Sequence, residues 1–176
     1  YGSTGRIAYD LCKILEHAGH ECIIGYGRGV APNDIKTIKI GSDIDVKLHG
    51  AFSRITDKSG FYSKSVTKKF INKIKKYNPD IIHLHNIHGY YINIELLFNY
   101  LAKSNKKIIW TLHDCWAFTG HCSYFDYANC DKWKTKCYNC PQKNSYPKSL
   151  FLDNSKRNYL KKKELFTSVN DMTIVT

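Results

Sequence analysis

The chain has 176 residues, 43% of them apolar and 14% aromatic, with 27 Lys and Arg against 15 Asp and Glu for a formal net charge of +12. That length suits one domain with a real core, and the apolar content argues against disorder despite the charge, while four prolines and 11 glycines exclude a collagenous or low-complexity chain. No run approaches the roughly 20 apolar residues of a membrane-spanning helix, and no basic segment followed by an apolar run opens the sequence.

In chain order, Gly2-Ser3-Thr4-Gly5-Arg6 leads into Ile7, Leu11, Ile14, Leu15 and Ala18, which fall on one helix face. Ser3 or Thr4 is expected to cap this helix and Gly19 to end it. Cys22-Ile23-Ile24 between glycine-rich flanks reads as a short buried strand, and residues 37–40 as a weaker one. Residues 43–60 are expected to hold one helix and a loop. A lysine-rich helix then carries the apolar stripe Val66, Phe70, Ile71, Ile74 and Tyr77, and stops before Asn78-Pro79. Residues 80–85 read as a strand, 92–102 as a helix, 107–112 as a strand, 154–168 as a helix and 172–176 as a last strand. Starting at Tyr1 without a methionine and stopping just after Met172-Thr173-Ile174-Val175, the sequence reads as a fragment.

Short apolar strands alternating with helices specify a doubly wound α/β domain with a parallel sheet. Ligands of such sheets bind beyond the carboxyl ends of the strands. There the sequence places His85-Asn86-Ile87-His88-Gly89 and His113-Asp114-Cys115-Trp116, and Gly2 to Gly5 would follow a first strand that is missing. A glycine turn ahead of a helix can offer amide groups to an anion, although the GxGxxG and P-loop spacings are both absent. His85 and His113 suit proton exchange or hydrogen bonding in a cleft. His83, two residues before His85, reads as a satisfied, half-buried side chain. No Gly-x-Ser-x-Gly elbow occurs, which argues against a hydrolase triad.

Cys122, Cys130, Cys137 and Cys140 give C-x7-C-x6-C-x2-C in an aromatic-rich insertion at about residues 115–150. The closing C-x2-C has zinc-site spacing, and the readings stand in the order structural zinc, disulfides, free thiols. The insertion's rings suit either a sugar-stacking wall or a small local core, the second being the default. Lysines cluster at 64–76 and 156–163, both with helical spacing. They read first as solvated faces and second as a peripheral contact with anionic membrane. Nucleic acid ranks last, since no reader motif accompanies the charge.

Residues 2–8, 79–86 and 111–122, with Cys140-Pro141-Gln142 and Tyr146-Pro147-Lys148-Ser149, together resemble the amino-terminal half of bacterial family 4 retaining glycosyltransferases of the capsular and exopolysaccharide type. The resemblance implies a GT-B architecture in which 1–176 is the single Rossmann-like acceptor-side domain and the carboxyl-terminal donor domain is absent. It implies transfer of a hexose with retention from a UDP- or GDP-linked sugar to a glycan or lipid-linked acceptor, at the cytoplasmic membrane face, with no metal in the chemistry. On this resemblance His113, with Asp114, falls at the catalytic position and contacts the transferred sugar. Gly2, Ser3, Thr4 and Gly5 approach the donor diphosphate, and His85, Asn86 and Trp116 line the substrate side. The fragment alone would then be inactive. The rival expectation is a non-catalytic, zinc-stabilised binding module for an acidic polymer.

Overall fold

The computed structural model describes residues 2–176. Helix α1 (Ser3–His17) is followed by β1 (Ile24–Tyr26), β2 (Thr37–Lys39), α2 (Asp43–Thr56), α3 (Lys64–Tyr77) and β3 (Ile81–Leu84). Then come α4 (Ile94–Leu101), β4 (Lys107–Thr111), three short 3-10 turns between residues 115 and 134, α5 (Ser155–Phe166) and β5 (Met172–Val175). Every strand pairing is parallel, as alternating strands and helices require. The hydrogen-bonded sheet, however, is in two pieces: β1–β2, and β3–β4–β5 with β4 central.

Local signals explain most boundaries. Gly19 adopts the left-handed conformation (φ +86°) and closes α1 by letting the His20 amide reach back to the Leu15 carbonyl. The start of α1 departs from expectation. Gly2 is its N-cap and no side chain caps it, because Ser3 is already the first helical residue. In α2, Ser42 and Asp45 form a reciprocal capping box, with the Ser42 hydroxyl accepting from the Asp45 amide while the Asp45 carboxylate accepts from the Ser42 amide. Asn78 ends α3 in the left-handed conformation ahead of Pro79.

The core lies on the three-stranded sheet. Ile94, Leu97, Phe98 and Leu101, the apolar face of α4, meet Ile108 and Trp110 of β4, Leu165 and Phe166 at the end of α5, and Val169 just after it. Phe98, Trp110 and Phe166 form a ring cluster with centroids 4.5–5.5 Å apart, which adds to the area term. On the smaller sheet, a Cβ at Gly25 would stand 2.6 Å from the Phe70 ring, so glycine is what lets α3 rest on β1.

The lysine-rich α5 is not simply a solvated face. Lys162 is 2% exposed, donates from Nζ to the Trp116 carbonyl at 2.5 Å and lies 3.9 Å from the centroid of the Trp116 ring. Burial lowers its pKa to about 7, against the raising influence of Cys137, Cys122, Asp57 and Asp114.

Candidate functional site

Parallel register sets Leu84 opposite Trp110, so β3 and β4 deliver their following residues to one rim. The Trp110 indole N–H donates to the His85 carbonyl at 3.1 Å and fixes the backbone there. His83, His85 and His113 form a stack, with centroids 4.4 Å and 5.2 Å apart and ring planes inclined by 27°. His83 Nε2 hydrogen-bonds the Thr111 hydroxyl at 2.8 Å, satisfying it as the sequence suggests. His85 Nδ1 and His113 Nε2 lie 2.9 Å apart in one hydrogen bond. Burial, followed by the neighbouring His83 and His113, pushes His85 down to about 4; burial and His113 lower His83 as well. A stack of this kind can position a polar ligand at the sheet edge and exchange a proton with it.

Asp114 and Trp116 serve a different structure. One Asp114 carboxylate oxygen pairs with His88 Nε2 at 2.7 Å, and the other accepts the Trp116 amide at 2.9 Å as the N-cap of a 3-10 turn. Burial alone would raise the Asp114 carboxyl, but the His88 hydrogen bond and charge and the Trp116 amide together hold it below the usual range. The Trp116 ring is 2% exposed and sits between His88, Lys162 and Phe166, so it is a core residue rather than a wall open to ligand. Tyr146 completes the group, 3.3 Å from His88 Nδ1. Asn86 is half-buried, and its carbonyl accepts the Tyr91 hydroxyl at 2.5 Å.

The structure thus brings His85 and His113 into contact and sets Asp114 beside them in the chain. Gly2, Ser3, Thr4 and Gly5 form the opening of α1, and among the described residues no hydrogen bond joins them to the histidines. His88 stands in a post-strand cluster and Tyr146 in the stretch Tyr146-Pro147-Lys148-Ser149, whereas Lys162 sits in a run of lysines with nothing in the sequence to distinguish it. A hollow of about 520 Å³ runs as an open trough along α5 past Lys156, Arg157 and Glu164, and no histidine lines it.

The insertion is pinned to the domain by Asp57, which takes the left-handed conformation just after α2. Its carboxylate accepts from buried His121 through Nδ1 and from the Asn154 amide at 2.7 Å, and its carbonyl accepts from the Asn158 side chain at 2.5 Å. Phe118, Phe125 and Trp133 cluster at 5.0–6.2 Å as a small local core. Cys122, Cys130, Cys137 and Cys140 all line one narrow cavity together with His121, and none is disulfide-bonded. Cys122 is lowered to about 6, first by its hydrogen bond with Cys140. As the side chains are turned, no three His, Cys, Asp or Glu among the described residues are grouped to hold a metal ion.

Residues 4–150 match Glycosyltransferase Family 4. Among curated proteins, one described as the colanic acid biosynthesis glycosyl transferase WcaC of Escherichia coli (strain K12) is 36% identical over 177 residues, covering 94% of this chain. The chain spans 42% of that protein's length. No solved structure gives a significant match.

Proposed function

The chain belongs to glycosyltransferase family 4, and from that premise we propose that it is the acceptor-side half of an enzyme that moves a hexose from a UDP- or GDP-linked donor to a glycan or lipid-linked acceptor, with retention, in surface polysaccharide synthesis. The observation that carries the proposal is the hydrogen-bonded His85–His113 pair at the carboxyl ends of β3 and β4, inside the family-matched span. In this reading Nε2 of His113 is committed to His85, and Nδ1, which has no protein partner among the described residues, is offered to a hydroxyl of the transferred sugar. A hydrogen bond that tightens as charge develops at the anomeric carbon accelerates transfer more than it aids binding. Asp114, with both carboxylate oxygens engaged by His88 and Trp116, positions the loop that follows His113. The donor diphosphate departs with stabilisation from helix-end dipoles and basic groups, supplied mostly by a carboxyl-terminal domain outside this chain, with the opening turn of α1 approaching from this side.

The same proposal places the work at the cytoplasmic membrane face and gives the cysteine cavity a structural zinc held by Cys122, Cys130, Cys137 and Cys140, with no metal in the transfer step. What supports the zinc is four thiols lining a single cavity; the thiols must turn inward to complete the tetrahedron. Family membership favours transfer over a non-catalytic module that binds an acidic polymer.

The test uses the full-length enzyme. His113→Ala is expected to lower kcat by about 10²-fold or more, the scale of losing one preorganised contact, while acceptor binding weakens far less. Residues 1–176 alone should give no product with UDP- and GDP-sugars. Turnover by that segment, or an unchanged kcat in a folded His113→Ala enzyme, overturns the assignment.

A further inference from the structure

Two hydrogen-bonded bridges span the same pair of loops at the rim of the sheet. One joins His85 to His113. The other runs from His88, after β3, to Asp114, after β4, and its two side chains are buried. Proton placement along the second bridge follows from its chemistry. Burial works against a charged carboxyl, but the His88 hydrogen bond and charge outweigh it and keep Asp114 ionised. The proton at 2.7 Å between them therefore sits on His88 Nε2, which in a neutral ring leaves Nδ1 bare. What that nitrogen meets, at 3.3 Å, is the Tyr146 hydroxyl, 58 residues downstream. Tyr146 is then the donor in this bond, and its oxygen keeps only lone pairs for any further partner. The Tyr146 ring is steadied by His88 and by Tyr90, with centroids 5.8 Å and 6.1 Å away, yet the residue is 47% exposed. Tyr90 holds its place in the left-handed conformation (φ +63°), a strained geometry for a tyrosine and one that gathers at functional sites. A brace built for stability alone would close on a core group; this one ends on a half-exposed hydroxyl that is free only to accept.

We propose that Tyr146, His88 and Asp114 form a relay that takes the proton of the acceptor hydroxyl during transfer. Tyr146 is the catalytic residue, touching the acceptor, and His88 and Asp114 are positioning residues behind it. As the acceptor oxygen bonds to the anomeric carbon, its proton passes to the Tyr146 oxygen while the Tyr146 proton passes to His88 Nδ1. The bond from the anomeric carbon to the donor diphosphate breaks, and its electron pair leaves with the diphosphate. The imidazolium formed lies against the Asp114 carboxylate, which stabilises it, and it returns the extra proton to solvent once product has gone. Burial raises the Tyr146 phenol, so the residue hands a proton on and does not ionise by itself. The inference rests on the proposed transfer activity and adds to it a proton acceptor, which His113, engaged with the transferred sugar, does not supply.

The relay has a signature that needs no sugar. Nitrogen NMR of the histidine-labelled full-length protein reads the His88 tautomer, and the relay requires the proton on Nε2. A His88 protonated on Nδ1 instead overturns it, whether or not transfer is observed. In the full-length enzyme, with a UDP- or GDP-linked sugar that supports turnover, Tyr146→Phe is expected to lower kcat by about 10²-fold or more while acceptor KM changes less than about threefold. His88→Gln should do the same, and the double variant should be no slower than either single one, as residues that act as a unit behave. His113→Ala is the reference that separates the two assignments. If it slows transfer while a folded Tyr146→Phe enzyme keeps the wild-type kcat, the relay is wrong and the transfer reading stands. A Tyr146→Phe enzyme that loses acceptor affinity at unchanged kcat also overturns the relay and leaves Tyr146 as a binding contact.

Discussion

Single residues in this chain act mostly by what they allow to approach. At Gly120 an added Cβ would stand 2.2 Å from the Ser155 carbonyl oxygen and 2.7 Å from the Cys137 Cβ. The first of these is backbone at the start of α5 and has nowhere to swing. Gly120→Ala is therefore expected to separate the insertion from α5 and to cost about 1–3 kcal/mol, as overpacking in a filled interior does. A urea melt reads this directly, and a stability within error of the wild type would mean that the insertion gives way freely. None of it is legible in the sequence, where Gly120 looks like any loop glycine, because the clash depends on Ser155, 35 residues downstream. His85 and His113 were legible for the opposite reason. A histidine immediately after an apolar strand run lands on the rim of a parallel sheet whatever the rest of the fold does. Trp116 and Lys162 were not, since a tryptophan in a polar loop and a lysine in a lysine run give no hint that they bury each other.

Among the elements, the strands and helices with strong periodicity appear close to their expected places, and the helix and loop expected within residues 43–60 are found as α2 and the segment after it. The capping box Ser42-x-x-Asp45 marks where α2 begins, yet nothing in the sequence shows that its apolar residues fall on the face that the domain leaves outside. Periodicity tells that a helix has two faces; it does not tell which one is turned to the core. The insertion is the other difficult element, since aromatic residues without period and three short 3-10 turns leave pattern reasoning nothing to hold. Its expected metal is tested at this scale. Protein purified without added metal should contain close to one zinc per chain by elemental analysis, and Cys137→Ser should remove it and loosen the 115–150 segment toward proteases, since a closed thiolate site contributes to folding outright. Metal-free protein with an equally protected insertion would leave the Phe118–Phe125–Trp133 cluster and Asp57 as its only supports.

For the molecule as a whole, stability should depend on acid in a defined way. His49 is held at about 4 by burial, with the Gly60 amide occupying the nitrogen that a proton would need, and His85 is likewise at about 4. The unfolded chain takes up those protons near 6.5, so it binds more protons than the folded one between pH 6.5 and 4, and stability must fall as pH drops through that window. For His49 the full effect is roughly 3 kcal/mol; His85, nearer solvent, contributes less. Thermal melts from pH 7 to 4 should show the loss, and His49→Gln should flatten it. The division of the sheet bears on stability too. β1 and β3 are not hydrogen-bonded to each other, and the sequence reading expects a first strand ahead of α1 that would pair at one of these open edges. Extending the chain upstream with such a strand is expected to raise Tm and reduce association through open strand edges, and no change in either would mean that the two sheets are already closed off.

The hydrogen bond between His85 and His113 carries a consequence for what can be recognised. Two imidazoles sharing one hydrogen bond can divide the roles in two ways: either His85 donates, leaving His113 with a proton on its outer nitrogen, or His113 donates, leaving that nitrogen bare. The outward nitrogen is thus a donor in one arrangement and an acceptor in the other. A carboxylate or an ammonium group would be served by only one of them. A hydroxyl, which can give or take a proton with equal ease, is served by both, so this rim is suited by its own symmetry to the functional group that sugars carry in greatest number.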